Sequence, residues 1–161
     1  VPLTDEEVEG LLGGGVKTAE SAFAVGDEVE LVQELNSPVA NTARTVVGGG
    51  PLILENGKVH VRSREEYIPN DIAKGSAPRT AVGLKKDGTV LVLVVDGRSN
   101  TSRGLTLQEL ATYFLRLGAR DAVNFDGGGS SVMVINGEVV NKPSDGRERP
   151  VSMALGLFPK F

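Results

Sequence analysis

Three Asn-Gly or Asp-Gly pairs, each lying between two apolar runs, constrain the fold of this chain more than any other feature. They are Asn56-Gly57, Asp87-Gly88 and Asn136-Gly137. Such pairs favour the tight turns of β-hairpins, so each predicts two neighbouring antiparallel strands. The second pair joins residues 80–85 to Val90–Val95. Because Val90–Val95 is apolar at every position, it is predicted to be a central strand covered on both faces.

Further strands are predicted from apolar runs between turn signals. Residues 119–125 and 152–158 are predicted as later strands of the sheet. An early strand is predicted over residues 28–35, after a turn at Gly26-Asp27. A second glycine cluster, Gly48-Gly49-Gly50-Pro51, leads into the first hairpin.

One substantial helix is predicted over about residues 106–117. It begins with a capping box, Thr106-Leu107-Gln108-Glu109, and Gly118 is its expected end. One apolar stripe is expected to face the sheet: Leu107, Leu110, Ala111, Phe114 and Leu115. A second capping box, Thr4-Asp5-Glu6-Glu7, predicts a short N-terminal helix to about Leu12. The predicted fold class is α+β, a mostly antiparallel β-sheet with one long helix packed on it and a short N-terminal helix.

Length and composition are those of an ordinary globular protein. A chain of 161 residues, 40% hydrophobic and 24% charged, is long enough to bury a core and is interpreted as one domain over residues 1–161. The net charge of −4 and the lack of a basic stripe argue against a nucleic-acid partner. No apolar run in the sequence is long enough to form a transmembrane helix.

Metal and thiol chemistry have little support in this composition. There is no cysteine, so disulfides, a thiol nucleophile and a thiolate metal site are excluded. His60 is the only histidine and lies in an alternating run, which disfavours both a zinc site and a Ser–His triad. A calcium ion is compatible with Asp and carbonyl oxygens, but no ligand pattern indicates one. We therefore expect no metal and no other cofactor.

The strongest candidate for a functional site is Asn124-Phe125-Asp126-Gly127-Gly128-Gly129-Ser130-Ser131, between two predicted strands. Glycines allow close approach of a ligand to free N–H groups, and the serine hydroxyls add donors. Asp126 would place an acid or base beside a bound anion or sugar. The alternative is an ordinary tight turn. The stretch lacks the lysine of a P-loop, the third glycine of a dinucleotide fingerprint and the closing glycine of a nucleophile elbow.

Polar clusters adjoin four of the predicted strands. They are Arg79-Thr80, Asp96-Gly97-Arg98-Ser99, residues 126–131 and Glu148-Arg149-Pro150. Because the start of one antiparallel strand lies beside the end of its neighbour, all four are predicted to meet at one sheet edge. The three arginines with Asp96 and Asp126 would form an anion site that contains carboxylates, since guanidinium groups match phosphate geometry. The alternative is that each arginine pairs structurally with a neighbouring acid.

Five motifs in order carry a resemblance to a known family. They are Pro78-Arg79-Thr80-Ala81-Val82-Gly83, Val95-Asp96-Gly97-Arg98, Gly104-Leu105-Thr106-Leu107-Gln108-Glu109-Leu110, Asn124 through Met133, and Glu148-Arg149-Pro150-Val151. With Gly48-Gly49-Gly50-Pro51-Leu52 they cover about residues 40–157, and together they resemble the phosphodiester glycosidase family. The resemblance implies a hydrolase that separates the anomeric carbon of a sugar, such as N-acetylglucosamine, from a phosphodiester of a cell-envelope or secreted glycan.

The resemblance supports the positions of the site residues, and their chemistry suggests the roles. Asp126 is expected to be the base or the oxocarbenium stabiliser, Asp96 is the second choice, and Arg98 completes the catalytic group. Expected substrate-binding residues are Arg79, Thr80, Asn124, Gly127, Gly128, Gly129, Ser130, Ser131 and Arg149. Within these two groups, the three arginines are assigned to the phosphate.

The chain departs from the family pattern in two places. Family domains begin with a further segment rich in Asn, Gly and Phe, which has no counterpart before Thr4, so we expect this chain to be the C-terminal part of a larger domain. Residues 68–77 lack the aromatic residues often seen there, and Lys74 is their only basic residue. The resemblance also implies an extracytoplasmic or secreted location. Two alternatives stay open: a non-catalytic sugar- or phosphoglycan-binding module, and a structural or envelope-assembly protein.

Overall fold

The sheet and helices described here belong to the second of two units. The computed structural model describes residues 26–28, 37, 42–43 and 45–158. Contacts between Cα atoms divide the chain into Val1–Val46 and Val47–Phe161. In the first unit, Gly26 lies in a turn with a φ of 97°, as predicted. The predicted N-terminal helix and nearly all of the predicted strand 28–35 lie outside the described residues.

Five antiparallel strands form the main sheet in the order β2-β1-β5-β3-β4. The strands of this sheet are β1 (Leu52–Glu55), β2 (Lys58–Val59), β3 (Arg79–Leu84), β4 (Val90–Val95) and β5 (Asp121–Asn124). A separate two-stranded hairpin is formed by β6 (Val134–Ile135) and β7 (Glu138–Val139). The helices are α1 (Asn70–Lys74) and α2 (Leu107–Arg116). This architecture confirms the predicted α+β class with a mostly antiparallel sheet.

All three predicted hairpin turns are present. Asn56 and Asn136 have φ angles of 51° and 53°, and the glycine after each is also positive, at 74° and 84°. Two consecutive positive φ angles define the type I′ turn, whose twist matches that of antiparallel strands. The β3–β4 turn is longer, with Lys85 N–H donating to the Thr89 carbonyl at 2.9 Å and a φ of 86° at Gly88. The Asn-Gly and Asp-Gly signals therefore predict the hairpins correctly but not the type of each turn.

Helix α2 begins and ends at the predicted residues because both termini are capped. Thr106 Oγ1 accepts from Glu109 N–H at 3.2 Å, and Glu109 Oε2 accepts from Thr106 N–H at 2.9 Å. At the other end, Gly118 has a φ of 83° and donates to the Leu115 carbonyl, while Ala119 donates to that of Phe114. These two bonds form a Schellman motif that satisfies the last carbonyls of the helix.

The hydrophobic core lies between α2 and one face of the sheet. Its buried members are Ile53, Leu54, Ala81, Leu107, Leu110, Ala111, Phe114, Ala119 and Ala122. Four residues of the predicted helical stripe are fully buried, and the fifth, Leu115, is 40% exposed. Leu115 lies at the margin of the stripe, where the helix surface turns away from the sheet. Among the described residues, no helix is both long and apolar enough to cross a membrane.

Strand β4 is an edge strand among the described residues, so the prediction of a central strand is wrong. Leu91, Leu93 and Val95 pack against the core, and the alternate residues Val92 and Val94 are half-buried on the other face. An uninterrupted apolar run indicates that both faces of a strand avoid water. It does not indicate whether the strand has a hydrogen-bonded neighbour on each side, and for this reason the run did not predict the edge position.

The segment 152–158 forms no strand, which corrects a second prediction. Its side chains are exposed, with Leu157 at 71% and Phe158 at 89%. An apolar run becomes a strand only when another strand supplies its backbone hydrogen bonds, and no strand in the described part of the chain pairs with it. Helix α1 was not predicted, because it has five residues and no buried side chain.

The charge of Glu109 is expected to stabilise the fold above pH 4.5. Hydrogen bonds from Arg103, and then from the Thr106 backbone, lower the pKa of Glu109 from 4.5 to about 2. A depressed folded-state pKa gives stability that is complete above the unfolded-state value and is lost as pH falls toward the folded-state value. Glu109→Gln keeps the cap but removes the charge. We expect lower stability at neutral pH and a flatter profile between pH 4.5 and 2, measured by urea unfolding. An unchanged profile would contradict this; exposed Glu148→Gln is the control.

Gly83 is expected to tolerate no larger side chain without loss of stability. The reason is close packing against Phe114, not a backbone conformation that only glycine adopts. A Cβ at this position would lie 2.5 Å from Phe114 Cδ1, and Phe114 is fully buried under α2. We expect Gly83→Ala to lower the free energy of unfolding by about 1–3 kcal/mol, as overpacked cores do. Gly48→Ala is the control, because no atom lies within 4 Å of its added Cβ. Equal stability of the two variants in thermal unfolding would refute this account.

Candidate functional site

Strand pairing brings three of the predicted polar clusters to one end of the sheet. β3 runs antiparallel to both of its neighbours, with Arg79 opposite Val95 and Ala81 opposite Asn124. The start of β3 therefore lies beside the ends of β4 and β5. Phe125 N–H donates to the Thr80 carbonyl at 2.8 Å, which extends this pairing to the edge of the glycine loop.

The fourth cluster reaches the same place through a loop instead of a strand. Arg149 Nη2 donates to Ser130 Oγ at 2.6 Å, and Arg149 Nη1 lies 3.7 Å from Asp145 Oδ2. The prediction that the four clusters meet is thus confirmed, although the predicted strand after Arg149 is absent. A side-chain contact, not a ladder of backbone bonds, holds this cluster in place.

Most N–H groups of the glycine loop, residues 126–131, are already occupied. Gly127 N–H donates to Asp126 Oδ1 at 2.9 Å, and Gly128 N–H donates to the Pro78 carbonyl at 3.0 Å. Ser130 and Ser131 donate within the loop at 3.1 Å, as part of a short 3-10 turn. Within this fully described loop, only the N–H groups of Asp126 and Gly129 have no acceptor. The expectation of several free N–H donors is therefore wrong, because buried backbone groups need internal partners.

The three glycines are needed because three other segments approach the loop closely. A Cβ at Gly127 would lie 2.7 Å from the Pro78 carbonyl oxygen. At Gly128, where φ is 60°, a Cβ would lie 3.0 Å from Arg98 Nη1, and at Gly129 it would overlap the Asp145 carboxylate. The Arg98 guanidinium and the Asp145 carboxylate thus contact two neighbouring residues of the loop, Gly128 and Gly129.

Arg98 presents an exposed guanidinium to the loop from the end of β4. Its backbone is in the left-handed region, with a φ of 54°, which few non-glycine residues adopt. Within the described residues it has no recorded hydrogen bond or carboxylate partner. An exposed, unpaired arginine lying against a glycine fits an anion-binding group, and it does not support the structural alternative of a paired arginine.

Asp96, two residues earlier, has a bracing role in the structure. Its Oδ1 accepts from Asn141 Nδ2 and from Lys142 N–H, each at 3.0 Å. The same Asn141 amide donates to the Ser131 carbonyl at 3.0 Å. Asp96 therefore ties the end of β4 to the segment that follows the glycine loop. One of its oxygens is committed to this task.

Arg79 lies beneath the loop, with only 3% of its surface exposed. Its Nε donates to the Leu105 carbonyl, and its Nη2 donates to the carbonyls of Ile72 and Gly75, at 2.7–2.9 Å. Burial, and then the charge of nearby Arg98, lower the pKa of Arg79. No carboxylate in the described part of the chain compensates its charge. Arg79 therefore holds three backbone segments together, and its uncompensated charge adds positive potential beneath the loop.

The predicted sugar contacts are also turned inward. Thr80 Oγ1 donates to Ser131 Oγ at 3.2 Å, and Ser131 is 1% exposed. Asn124 Nδ2 donates to the carbonyls of Gly50 and Phe125 at 2.9 and 2.8 Å, while its buried Oδ1 has no partner. In this arrangement the three side chains support the loop instead of lining an open surface.

Two carboxylates flank the glycine loop from different sides. Asp126, at its start, is exposed and uses Oδ1 to accept from Gly127 N–H. Asp145 comes from the distant loop before Arg149, and sequence reasoning missed it. The one available signal was its Ser-Asp-Gly turn, in which Gly146 has a φ of 73°. A turn signal predicts local shape and does not reveal which loop the carboxylate will contact.

Neither a metal cluster nor a second polar site adjoins this loop. Among the described residues, no group of three His, Cys, Asp or Glu side chains could hold a metal ion. A cavity of about 290 Å³ lies at the opposite end of the sheet, beside Lys85, Lys86 and Arg120. None of the predicted site residues lines it, and Arg120 is paired with Asp121 at 3.2 Å.

Known proteins are similar in sequence to this chain. The phosphodiester glycosidase family model matches residues 7–158. A Bacillus subtilis SPbeta prophage-derived uncharacterized protein, YomE, is 45% identical over 80 residues, which are 50% of this chain and 12% of that protein. The bovine N-acetylglucosamine-1-phosphodiester alpha-N-acetylglucosaminidase is 31% identical over 109 residues, 62% of this chain and 20% of that enzyme.

A solved structure is also similar to this chain, in both fold and sequence. The catalytic domain of the zebrafish N-acetylglucosamine-1-phosphodiester alpha-N-acetylglucosaminidase, auto-inhibited by its pro-peptide, superposes with a TM-score of 0.54 at 27% identity. The match covers 61% of this chain and 34% of that one, so this chain spans about a third of the zebrafish domain and still less of the curated relatives. The family model nevertheless covers nearly the whole sequence. The chain therefore belongs to the phosphodiester glycosidase family.

Proposed function

We propose that this chain is a hydrolase that cleaves the bond between a sugar anomeric carbon and a phosphodiester oxygen. The observation that carries the proposal is the approach of two guanidinium groups to one glycine loop. Arg98 lies against Gly128, and Arg149 donates to Ser130 at 2.6 Å. Two guanidinium groups on one loop suit the non-bridging oxygens of a phosphodiester.

The phosphate would be held mainly by charge. Arg98 and Arg149 would contact it, and Arg79 adds positive potential from below. Preorganised donors of this kind are most effective where negative charge develops in the transition state. Here that charge develops on the phosphate, which leaves as a monoester and needs less general-acid help than an alcohol does.

A carboxylate near the anomeric carbon completes the reaction. The oxygen of a water molecule bonds to that carbon, the carbon–oxygen bond to phosphate breaks, and its electron pair stays on the phosphate oxygen. The water proton passes to the carboxylate. In both Asp126 and Asp96, one carboxylate oxygen already accepts hydrogen bonds. Asp126 is favoured because it is exposed, whereas Asp96 is half-buried.

The substrate proposed is an N-acetylglucosamine-type sugar joined to phosphate in a cell-envelope or secreted glycan. This choice is supported by the names of the bovine and zebrafish relatives, which are N-acetylglucosamine-1-phosphodiester alpha-N-acetylglucosaminidases. An extracytoplasmic or secreted location accompanies that proposal. The second candidate function is a non-catalytic phosphoglycan-binding or envelope-assembly module. Such a module would use the same two guanidinium groups to bind a phosphate without turnover.

Asp126→Asn tests the proposed base directly. We expect it to lower turnover by about 10²–10⁴-fold while the fold is kept, since general-base contributions are of this size. The measurement is release of free sugar from a sugar-phosphodiester panel that includes UDP-N-acetylglucosamine. Asp87→Asn, on the turn at the other end of the sheet, is the matched control. Near-normal turnover in Asp126→Asn would remove Asp126 from the chemistry.

Arg98→Gln tests the phosphate clamp in the same assay. Loss of a donor to developing charge is expected to lower kcat by about 10²-fold. Arg98→Lys is expected to recover only part of the loss, because an ammonium cannot form the bidentate contact. Arg116→Gln, in the last turn of α2, is the control for a surface arginine. Sugar release that is equal in the Arg98 and Arg116 variants would rule out the clamp.

A further inference from the structure

We infer that Asp145 is a specificity-determining residue, which shifts the preference of the site from phosphomonoesters toward phosphodiesters. A phosphodiester carries one negative charge, whereas a monoester carries nearly two at neutral pH because its second pKa is about 6. In the proposed reaction the substrate is the diester and the product is the monoester. A fixed carboxylate beside the phosphate would therefore help to retain the diester substrate and to expel the monoester product. This role rests on the proposed function.

Asp145 occupies the place where the anion is expected. Its carboxylate lies against Gly129, in the middle of the glycine loop. Arg98 lies against the preceding residue, Gly128, and Arg149 contacts the following residue, Ser130. The two guanidinium groups and the Asp145 carboxylate thus meet on three consecutive residues. Any substrate phosphate held by both arginines would lie beside Asp145.

A simple ion pair with Arg149 does not account for this placement. The closest distance between the two charged groups is 3.7 Å, and a charge-assisted N–H···O bond is about 2.7–2.9 Å. Arg149 makes its short contact with Ser130 Oγ, at 2.6 Å. Asp145 lies so close to Gly129 that a Cβ at position 129 would overlap the carboxylate oxygens where they now lie. The fold therefore accommodates a carboxylate close to the loop although its pairing is poor.

Charge at the loop explains how this carboxylate would discriminate. Arg98 and Arg149 attract a dianion more strongly than a monoanion, and Arg79 beneath them adds to this. Asp145, which lies against the same loop, offsets one of these positive charges. Repulsion from Asp145 is about twice as large for a dianion as for a monoanion, because Coulomb energy scales with the product of charges. The Asp145 side chain is 39% exposed, so solvent screens the effect to a modest size.

The test compares methyl phosphate with dimethyl phosphate, which differ by one methyl group and one charge. Binding of each to the full chain is measured by NMR titration at pH 7.5 and low salt, with no turnover required. We expect Asp145→Asn to tighten methyl phosphate binding by about tenfold and dimethyl phosphate binding by only about threefold, the ratio set by the two charges. Asp145→Ser, a second neutral variant, should do the same. Asp87→Asn, distant from the loop, should change neither.

Two results would overturn this role. One is an equal change, or no change, in the affinities of both esters in the two neutral variants. The other is the absence of any binding of either ester to the wild type at millimolar concentration. The sugar-release assay reports separately on the proposed hydrolysis. A chain that releases no sugar but shows the unequal change would lose the proposed hydrolysis and keep Asp145 as a charge discriminator.

Discussion

The antiparallel pairing of β3 with both of its neighbours is the constraint on which the rest of this structure depends. Because β4 and β5 both run opposite to β3, their ends lie beside its start. Residues that are 16–50 positions apart in the chain, from Arg79 to Gly129, are brought to one end of the sheet. Helix α2 then fixes this arrangement by burying one apolar face of the strands. The site is a consequence of strand direction and does not need a dedicated binding element.

The glycine loop works differently from the way that its composition suggests. Three consecutive glycines suggest a nest of free N–H groups, but most of these groups donate within the loop or to Pro78. The absence of side chains is used instead to admit Pro78, Arg98 and Asp145 into close contact. In the proposed function, charged side chains supply the recognition chemistry, and the loop supplies the space in which they meet. This division also explains why the buried Arg79 and Ser131 and the half-buried Thr80 function as supports.

Local signals predicted local structure well. The capping box at Thr106, the apolar stripe of α2, the Gly118 terminus and the three hairpins are all decided by residues within a few positions of one another. The wrong predictions concern strands, because a strand needs a hydrogen-bonding partner from another segment of the chain. The run Val90–Val95 is an edge strand among the described residues, and residues 152–158 form no strand, because pairing depends on segments far away in sequence.

The sequence by itself determined the α+β class, the position of the long helix and the membership in the phosphodiester glycosidase family. Only the tertiary structure decided which of the predicted site residues present their chemistry outward. Arg98 and Asp126 are exposed, whereas Asn124 and Ser131 are buried. It also brought Asp145 against Gly129, a contact between two loops with no sequence signature. The physical reason is that turns and caps are set by local bonding, whereas burial and loop contacts are set by how distant segments pack.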